Sequence, residues 1–426
     1  MKNPEYRPRI ADQEIAESLQ AFSAVVIEGP KWCGKTWTAE HVAASEIKIG
    51  DPAGNFQNRR LAEMNPSLVL EGEKPHLIDE WQEVPALWDA VRAKSDENNQ
   101  KGKFILTGSS TPKRKGIMHS GAGRIARIHM HTMSLYENGN SSGEISLQDI
   151  CEKKAPDIMT GEVSLERIAE LIIRGGWPEI IGMPLNLASL IPSQYIEAII
   201  TDDASRIDGK KRDTAKMRRL LRSLARNEST TVSNNALKRD IRDVDDDDID
   251  NNTISDYLDV FNRLYLTDNQ LPFSSSIRSS VRVKQQEKRH LCDVSIASSL
   301  LGIHNTDMLI NDLNTMGFLF ESLVEHDLRI YAESFHAKLF HYQDYSNKEI
   351  DAVIEMEDGR WCGIEIRLGA SQIDTAAENL LKISESFQKD PKGKGPSSLC
   401  VVCGLSNAAY TRPDGVYVVP LTALRP

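Results

Sequence analysis

Short unbroken apolar runs alternate with amphipathic stretches over the first third of the chain. Residues 22–28 (FSAVVIE), 67–70 (SLVL), 76–79 (HLID) and 103–107 (KFILT) are too short for stable helices, which predicts strands buried on both faces. Helical patterns fall between them at 34–44 and 84–94. Buried strands alternating with helices predict a parallel α/β sheet running to about residue 135. Residues 136–165 are polar and include ENGNSSGE, which reads as an irregular connection. Residues 166–206 look helical and carry RGGWPE.

Three further helical patterns follow: TAKMRRLLRSLAR, NNALKRDI and TISDYLDVFNRLYL. TVS between the first two suits a short strand, and VDDDDID between the last two suits an acidic turn. That order predicts a winged helix-turn-helix. From about 315 a helix, GFLFESLVEHDLRIYAES, precedes the strand patterns KLFHYQ, EIDAVIEM and WCGIEIRL. A helix, TAAENLLKISESF, and the strands SSLCVVCG and GVYVVP complete a second α/β unit. The expected fold class is α/β: a parallel sheet over 1–135, a helical connection or lid over 136–210, a winged-helix-like segment over 211–290, and α/β again over 291–426. No internal repeat or long low-complexity tract interrupts it.

Composition narrows the partners. With 51 basic against 62 acidic residues the chain carries a formal charge of -11, which argues against a general nucleic-acid coat but allows a local basic face. No apolar run is long enough to span a bilayer, and MKNPEYRPRIADQEI lacks a signal-peptide core. Cys33, Cys151, Cys292, Cys362, Cys400 and Cys403 show no disulfide-framework spacing, so a reduced cytoplasm is expected and no membrane partner. Cys400 and Cys403 form a CxxC inside the apolar run LCVVCG. A zinc site needs a second ligand pair, and buried-strand cysteines are the simpler reading.

The chemistry concentrates in the first sheet. Gly29-Pro30-Lys31-Trp32-Cys33-Gly34-Lys35-Thr36 matches GxxxxGK[ST], follows a strand and opens a helix that continues into Trp37. The glycines let the loop curl so that backbone N–H groups face phosphate oxygens, and the helix start adds its positive end. Lys35 can reach the β- and γ-phosphates of ATP, and the Thr36 hydroxyl can ligate Mg²⁺. Asp79, at the end of HLID, is expected to hold Mg²⁺ through water, with Glu80 as general base for the attacking water. Thr107 or Ser109, in TGSS after KFIL, could orient that water or touch the γ-phosphate; the plain alternative is a strand-to-loop turn.

These blocks, with HLIDEWQEVPALWDAVR and FILTGSS, resemble the AAA-type ATPase family in which a P-loop domain is fused to a C-terminal domain of unknown function. The resemblance continues through AGRIARIHMHTMSLYE, RGGWPE, MGFLFESLVEHDL and EIDAVIEMEDGRWCGIEIRLG to DGVYVVPL, and so covers nearly the whole chain. It implies an ATPase using ATP and Mg²⁺, a winged-helix segment and a C-terminal domain like that of restriction endonucleases. Within it, Arg124 of AGRIARI could neutralise γ-phosphate charge, in cis or from a neighbouring subunit, as could Arg127 or Arg174; each could equally be structural.

Asp351 and Glu365 lie on two predicted strands, and side-chain alternation puts Glu365 and Arg367 on one face. With Glu321 from the preceding helix they could form an acidic metal cluster, as in nucleases of the PD-(D/E)xK type. Those enzymes carry lysine where this chain has Arg367, which stays protonated and passes no proton readily. A nuclease, a binding fold without cleavage, and unrelated strand charges are the alternatives. Lys216, Arg218, Arg219, Arg222 and Arg226, then Lys238, Arg239 and Arg242, could contact DNA phosphates. Against that stand Asp245 to Asp248, and Asp256 and Asp259 on the expected recognition helix, which suits packing or a protein partner. RSSVRVKQQEKRH could be a further phosphate contact or a solvated surface. A DNA-associated ATPase, an ATP-dependent nuclease and a nucleotide-gated protein-interaction module are therefore all in play, with oligomerisation open.

Overall fold

The computed structural model describes residues 6–97, 100–111, 118–242, 249–276, 282, 285–344, 348–389 and 394–426. The acidic run Asp245–Asp248 and most of RSSVRVK lie outside these residues, as does the side chain of Arg242. The chain divides into two compact units: Met1–Thr132 with Thr201–Arg212 and Asp259–Leu266, and Met133–Ile200 with Asp213–Leu258 and Thr267–Pro426.

The first unit is built on a five-stranded parallel sheet of β1 (Ala24–Glu28), β2 (Ser45–Lys48), β3 (His76–Asp79), β4 (Phe104–Gly108) and β5 (Ile125–His129). Its order is β2-β3-β4-β1-β5. The interior strands β1, β3 and β4 are buried at every position, which is why their sequences are mostly apolar, with Glu28, Asp79 and Thr107 near their carboxyl ends and His76 at the start of β3. The edge strands β2 (SEIK) and β5 (IARIH) are partly exposed, and their mixed pattern hides them in the sequence. SLVL is no strand: Pro66–Val69 is a 3₁₀ turn, opened by a proline that has no N–H and capped by Asn65, whose side chain accepts from the Ser67 N–H. The predicted helices form at Lys35–Val42 and Ala86–Asp96. Because β4 lies between β1 and β3, the loops after these three strands open side by side at the carboxyl edge of the sheet, where α/β folds bind ligands.

The second unit holds an eight-stranded mixed sheet. Its strands are β7 (Ile158–Met159), β8 (Leu271–Pro272), β9 (Lys338–Gln343), β10 (Glu349–Glu355), β11 (Trp361–Arg367), β12 (Ser398–Cys403), β13 (Ala408–Thr411) and β14 (Tyr417–Pro420). The order is β7-β13-β14-β12-β11-β10-β9-β8, and β6 (Ile145–Ser146) pairs separately with β15 (Leu424–Arg425). Strands β9, β10 and β11 are antiparallel neighbours, whereas β11, β12 and β14 run parallel. The helix Ile373–Lys389 connects β11 to β12 and buries Ala377, Leu380, Ile383 and Phe387 with Trp361, Val401 and Val418. The helix Leu313–Glu333 packs against β9, β10 and β11. The basic helical patterns form at Thr214–Arg226, capped by Asp213, and at Asn234–Arg242. Near TVS the structure has an isolated bridge, Thr230 to Arg289. All six cysteines are buried and free. Among the described residues no helix is long and apolar enough to cross a membrane.

Candidate active site

The turn after β1 carries the phosphate-loop residues. A Cβ on Gly29 would lie 2.1 Å from the Met130 carbonyl oxygen, so only glycine lets the chain pass there. Gly34, the residue before the helix, has φ 102°, a left-handed geometry that suits glycine. Lys35 is buried, and its ammonium donates to the carbonyl oxygens of Gly29 (3.0 Å) and Pro30 (2.6 Å). Its hydrogen-bond partners are neutral, and among the described residues no carboxylate pairs with it directly, which leaves the ammonium suited to an anion. Lys31 pairs instead with Asp203 at 2.7 Å. Trp32 and Trp37 are both exposed, and Cys33 is buried under the loop with its thiol 3.4 Å from the Met130 carbonyl.

Thr36, Asp79, Thr107 and Glu80 meet at the edge where β3 and β4 end. Asp79 Oδ1 accepts from Thr36 Oγ1 at 2.8 Å and from Thr107 Oγ1 at 2.6 Å, and Thr107 Oγ1 in turn accepts from the Glu80 N–H at 3.1 Å. A hydroxyl and a carboxylate are oxygen donors of the kind that Mg²⁺ takes. Ser109 Oγ donates to Glu80 Oε2 at 3.0 Å. Glu80 has φ 58°, a left-handed backbone costing a non-glycine residue about 1–2 kcal/mol. Burial, seconded by Asp79, raises the Glu80 pKa above its ordinary value, while Lys35, Gln82 and Ser109 oppose the shift.

Arg124 requires a correction. It precedes β5, at the opposite end of the sheet from the phosphate loop, and its Nε donates to Asp96 at 2.9 Å. A parallel register places Ile125 beside Ala24 and only His129 beside Glu28, so within its own chain Arg124 does not reach the phosphates. Arg127 pairs with Glu28 at 2.6 Å and lies over the Trp88 ring. Arg174 is held by Glu170 and by the Ile180 and Met183 carbonyls. Both have structural partners. One residue escaped the sequence reading: Arg9, buried, donates to the carbonyl of Cys33 at 2.7 Å and of His131 at 2.9 Å, bracing the loop from beneath. Its only signal was an arginine ahead of an amphipathic helix, indistinguishable from a surface charge.

The family described as an AAA domain matches residues 21–138, the stretch that holds Gly29 to Trp37, Asp79, Glu80, Thr107 and Ser109, while Arg9 lies ahead of it. Residues 21–138 form a P-loop domain of AAA type. Two families described as domains of unknown function, DUF8612 and DUF4143, match residues 165–307 and 316–424. Uncharacterized proteins of Mycobacterium tuberculosis and Mycobacterium bovis are each 24% identical over 364 residues, covering 84% of this chain and 73% of theirs. Among solved structures, the Walker-type ATPase of Pyrococcus abyssi is 13% identical with a TM-score of 0.41, over 71% of this chain and 96% of that one.

A second set of charges lies beyond the AAA-type domain, inside the other unit. Arg367 Nη1 contacts Asp351 Oδ2 at 2.8 Å, and its Nη2 is hydrogen-bonded to Glu365. Asn379 donates to the other Glu365 oxygen at 2.7 Å, and the Ile366 N–H donates to Asp351 at 2.8 Å. Glu321 is ion-paired with Lys288, which also meets Glu325 at 3.1 Å. His290 reaches Glu325 at 2.7 Å and Glu228 at 3.4 Å. The three expected metal ligands are thus taken by cations of the chain itself. Arg367 stands between Asp351 and Glu365, so a divalent ion bound by both would have to displace its guanidinium. Lys288 and His290 belong to RSSVRVKQQEKRH, read from the sequence as a phosphate contact or a solvated surface; both are instead buried and paired with carboxylates, because only the fold brings Glu321 and Glu325 to them.

Burial alone would lower the Lys288 pKa, but Glu321, Glu325 and Asp351 outweigh it and hold the ammonium well above its ordinary value. The same balance raises His290 to about 9, against burial, through Glu325 and Glu228. Lys288→Met should therefore leave Glu321 and Glu325 buried without their shared cation and cost about 3 kcal/mol or more of stability. A urea melt that stays within about 1 kcal/mol of the parent would show these carboxylates to be solvated or protonated.

Proposed function

We propose that the AAA-type domain binds ATP with Mg²⁺ and hydrolyses it. The observation that carries this is the junction of a buried Lys35 with neutral partners and the Thr36–Asp79–Thr107 hydroxyl–carboxylate set, with Glu80 alongside. In this reading Gly29 to Trp37 surround the nucleotide, Lys35 holds the β- and γ-phosphates, and Thr36 and Asp79 hold the metal. Mg²⁺ supplies charge neutralisation on the phosphates when bound. Glu80 takes the proton of the attacking water, and Thr107 and Ser109 keep Asp79 and Glu80 in place. The test is phosphate release from ATP by the full chain, with Mg²⁺ and with chelator, beside variants of Lys35 and Glu80. Absence of Mg²⁺-dependent release from the folded wild type would overturn the proposal.

We further propose that the nucleotide state acts on the rest of the chain, with its winged-helix-like and restriction-endonuclease-like parts, as a partner-binding module. A protein partner is favoured over DNA because the basic helix is partly neutralised from within: Arg218 pairs with Glu197, and Arg226 with Asp240. DNA binding would instead show as a steep loss of affinity with salt. Cleavage is not expected, since Arg367 occupies the position between Asp351 and Glu365. Incubation with single-stranded, double-stranded and branched DNA in Mg²⁺ or Mn²⁺, with and without ATP, should leave the DNA intact. Cutting that vanishes in Asp351→Ala would promote the nuclease reading.

A further inference from the structure

Gln82 lies two residues beyond Glu80, in the turn that follows β3. Its side-chain Nε2 is hydrogen-bonded to Glu80 Oε2 and reaches Ser109 Oγ at 3.3 Å, while Ser109 Oγ donates to the same Glu80 oxygen at 3.0 Å. Two donors from different strand ends therefore converge on Oε2. That leaves Oε1 as the carboxylate oxygen available to receive a proton. The amide accepts a cost in this orientation: its own Oε1 is buried without a hydrogen-bond partner. Such a loss is tolerated where the opposite end of the amide makes a stronger, charge-assisted bond. Gly108 makes room for it, because a Cβ there would come within 3.2 Å of Gln82 Oε1 and 3.0 Å of Trp81 Nε1. Backbone geometry alone does not aim Glu80, since its left-handed φ of 58° only lifts the side chain off the end of β3. The amide and the serine hydroxyl select where the carboxylate then points.

We propose that Gln82 is the positioning residue for Glu80: with Ser109 it anchors one carboxylate oxygen so that the other faces the attacking water. This rests on the ATPase reading above. The side chain makes no bond to the phosphate loop, so it should affect turnover without affecting nucleotide affinity. Gln82→Met keeps the length and apolar body of the side chain and removes the donor. It should lower kcat on the order of tenfold, because a misaimed base loses its attack geometry. KM and ATP affinity should stay within about twofold of the parent. In a Glu80→Gln background the same change should have no further effect, since a residue that acts through Glu80 has nothing left to position. Gln82→Glu, isosteric but with an acceptor facing Glu80, should be at least as slow as Gln82→Met and serves if the latter does not fold. Parental kcat in both variants would overturn the inference, as would an equal loss in the Glu80→Gln background or a KM that rises in step with the fall in kcat. A wild type without Mg²⁺-dependent turnover removes the ATPase reading and this inference together. A wild type that turns over while the Gln82 variants match it removes the inference alone.

Discussion

Lys35→Ala should weaken ATP binding on the order of a hundredfold, since it deletes the charge-assisted bonds that an ammonium makes to the β- and γ-phosphates, each contributing about 1.5–3 kcal/mol. The size of the effect follows from where the side chain sits. Lys35 is 5% exposed, and its hydrogen-bond partners are two backbone carbonyls and a thiol. A buried cation with neutral partners carries a desolvation cost that a bound polyanion relieves. Alanine removes both the charge and the cost, so the folded apo protein should lose little stability while nucleotide affinity falls. The measurement is a titration with a fluorescent ATP analogue alongside a thermal melt. Parental affinity in a variant with an unchanged melt would place the nucleotide elsewhere.

Glu80→Gln should bind ATP as the parent does and hydrolyse it on the order of a hundredfold to ten-thousandfold more slowly, because an amide cannot accept the proton of the attacking water. The substitution is isosteric, and the Ser109 hydroxyl can still donate to the amide oxygen, so the local structure should survive. Single-turnover phosphate release separates the two steps: binding retained, chemistry lost. Burial and the adjacent Asp79 raise the Glu80 pKa. The base works only when ionised, so parental turnover should fall on acidification beginning at a higher pH than an exposed glutamate would give. Turnover at the parental rate in Glu80→Gln would assign the base to another group.

The two variants separate binding from chemistry, and the Gln82 series adds a third level, the aim of the base. Each rests on a different structural relation. Lys35 is proposed to act by charge inside a loop of contiguous residues, Glu80 by its place at the end of β3, and Gln82 by a contact between the ends of β3 and β4. The first two were legible from motif and spacing. The third was not, because glutamine two residues after an acidic strand end has no periodic or compositional mark.

The same division runs through the fold. Interior strands such as AVVIE and FILTG announce themselves, since burial on both faces favours apolar residues and confines Glu28 and Thr107 to the carboxyl end of the strands. The edge strand IARIH mixes apolar and polar residues because it is only partly covered, and SLVL passes for a strand until Pro66 and the Asn65 cap turn it into a 3₁₀ segment. In the second unit, the sequence reading placed Asp351, Glu365 and Glu321 near one another, with Arg367 beside Glu365, but did not supply the counterion of Glu321. Lys288 is separated from Glu321 by 33 positions and from Asp351 by 63, and only the packing of the long helix against β9, β10 and β11 brings them together.

What the amino-acid order determines by itself is therefore local and covalent: the phosphate loop between β1 and its helix, the carboxylates that end β3, the continuous apolar runs, and the arginine at 367. Turn geometry and strand burial act over a few residues, so those few residues encode them. The tertiary structure alone decides which charges meet. It sends Arg124 to the far end of the sheet from the phosphates, sets Arg9 beneath the loop, closes Arg367 onto Asp351 and Glu365, and brings Gln82 and Ser109 onto one oxygen of Glu80. Apart from the two contacts between residues two positions apart, Arg367 with Glu365 and Gln82 with Glu80, these pairings join segments far apart in the chain, and no short window of sequence contains them.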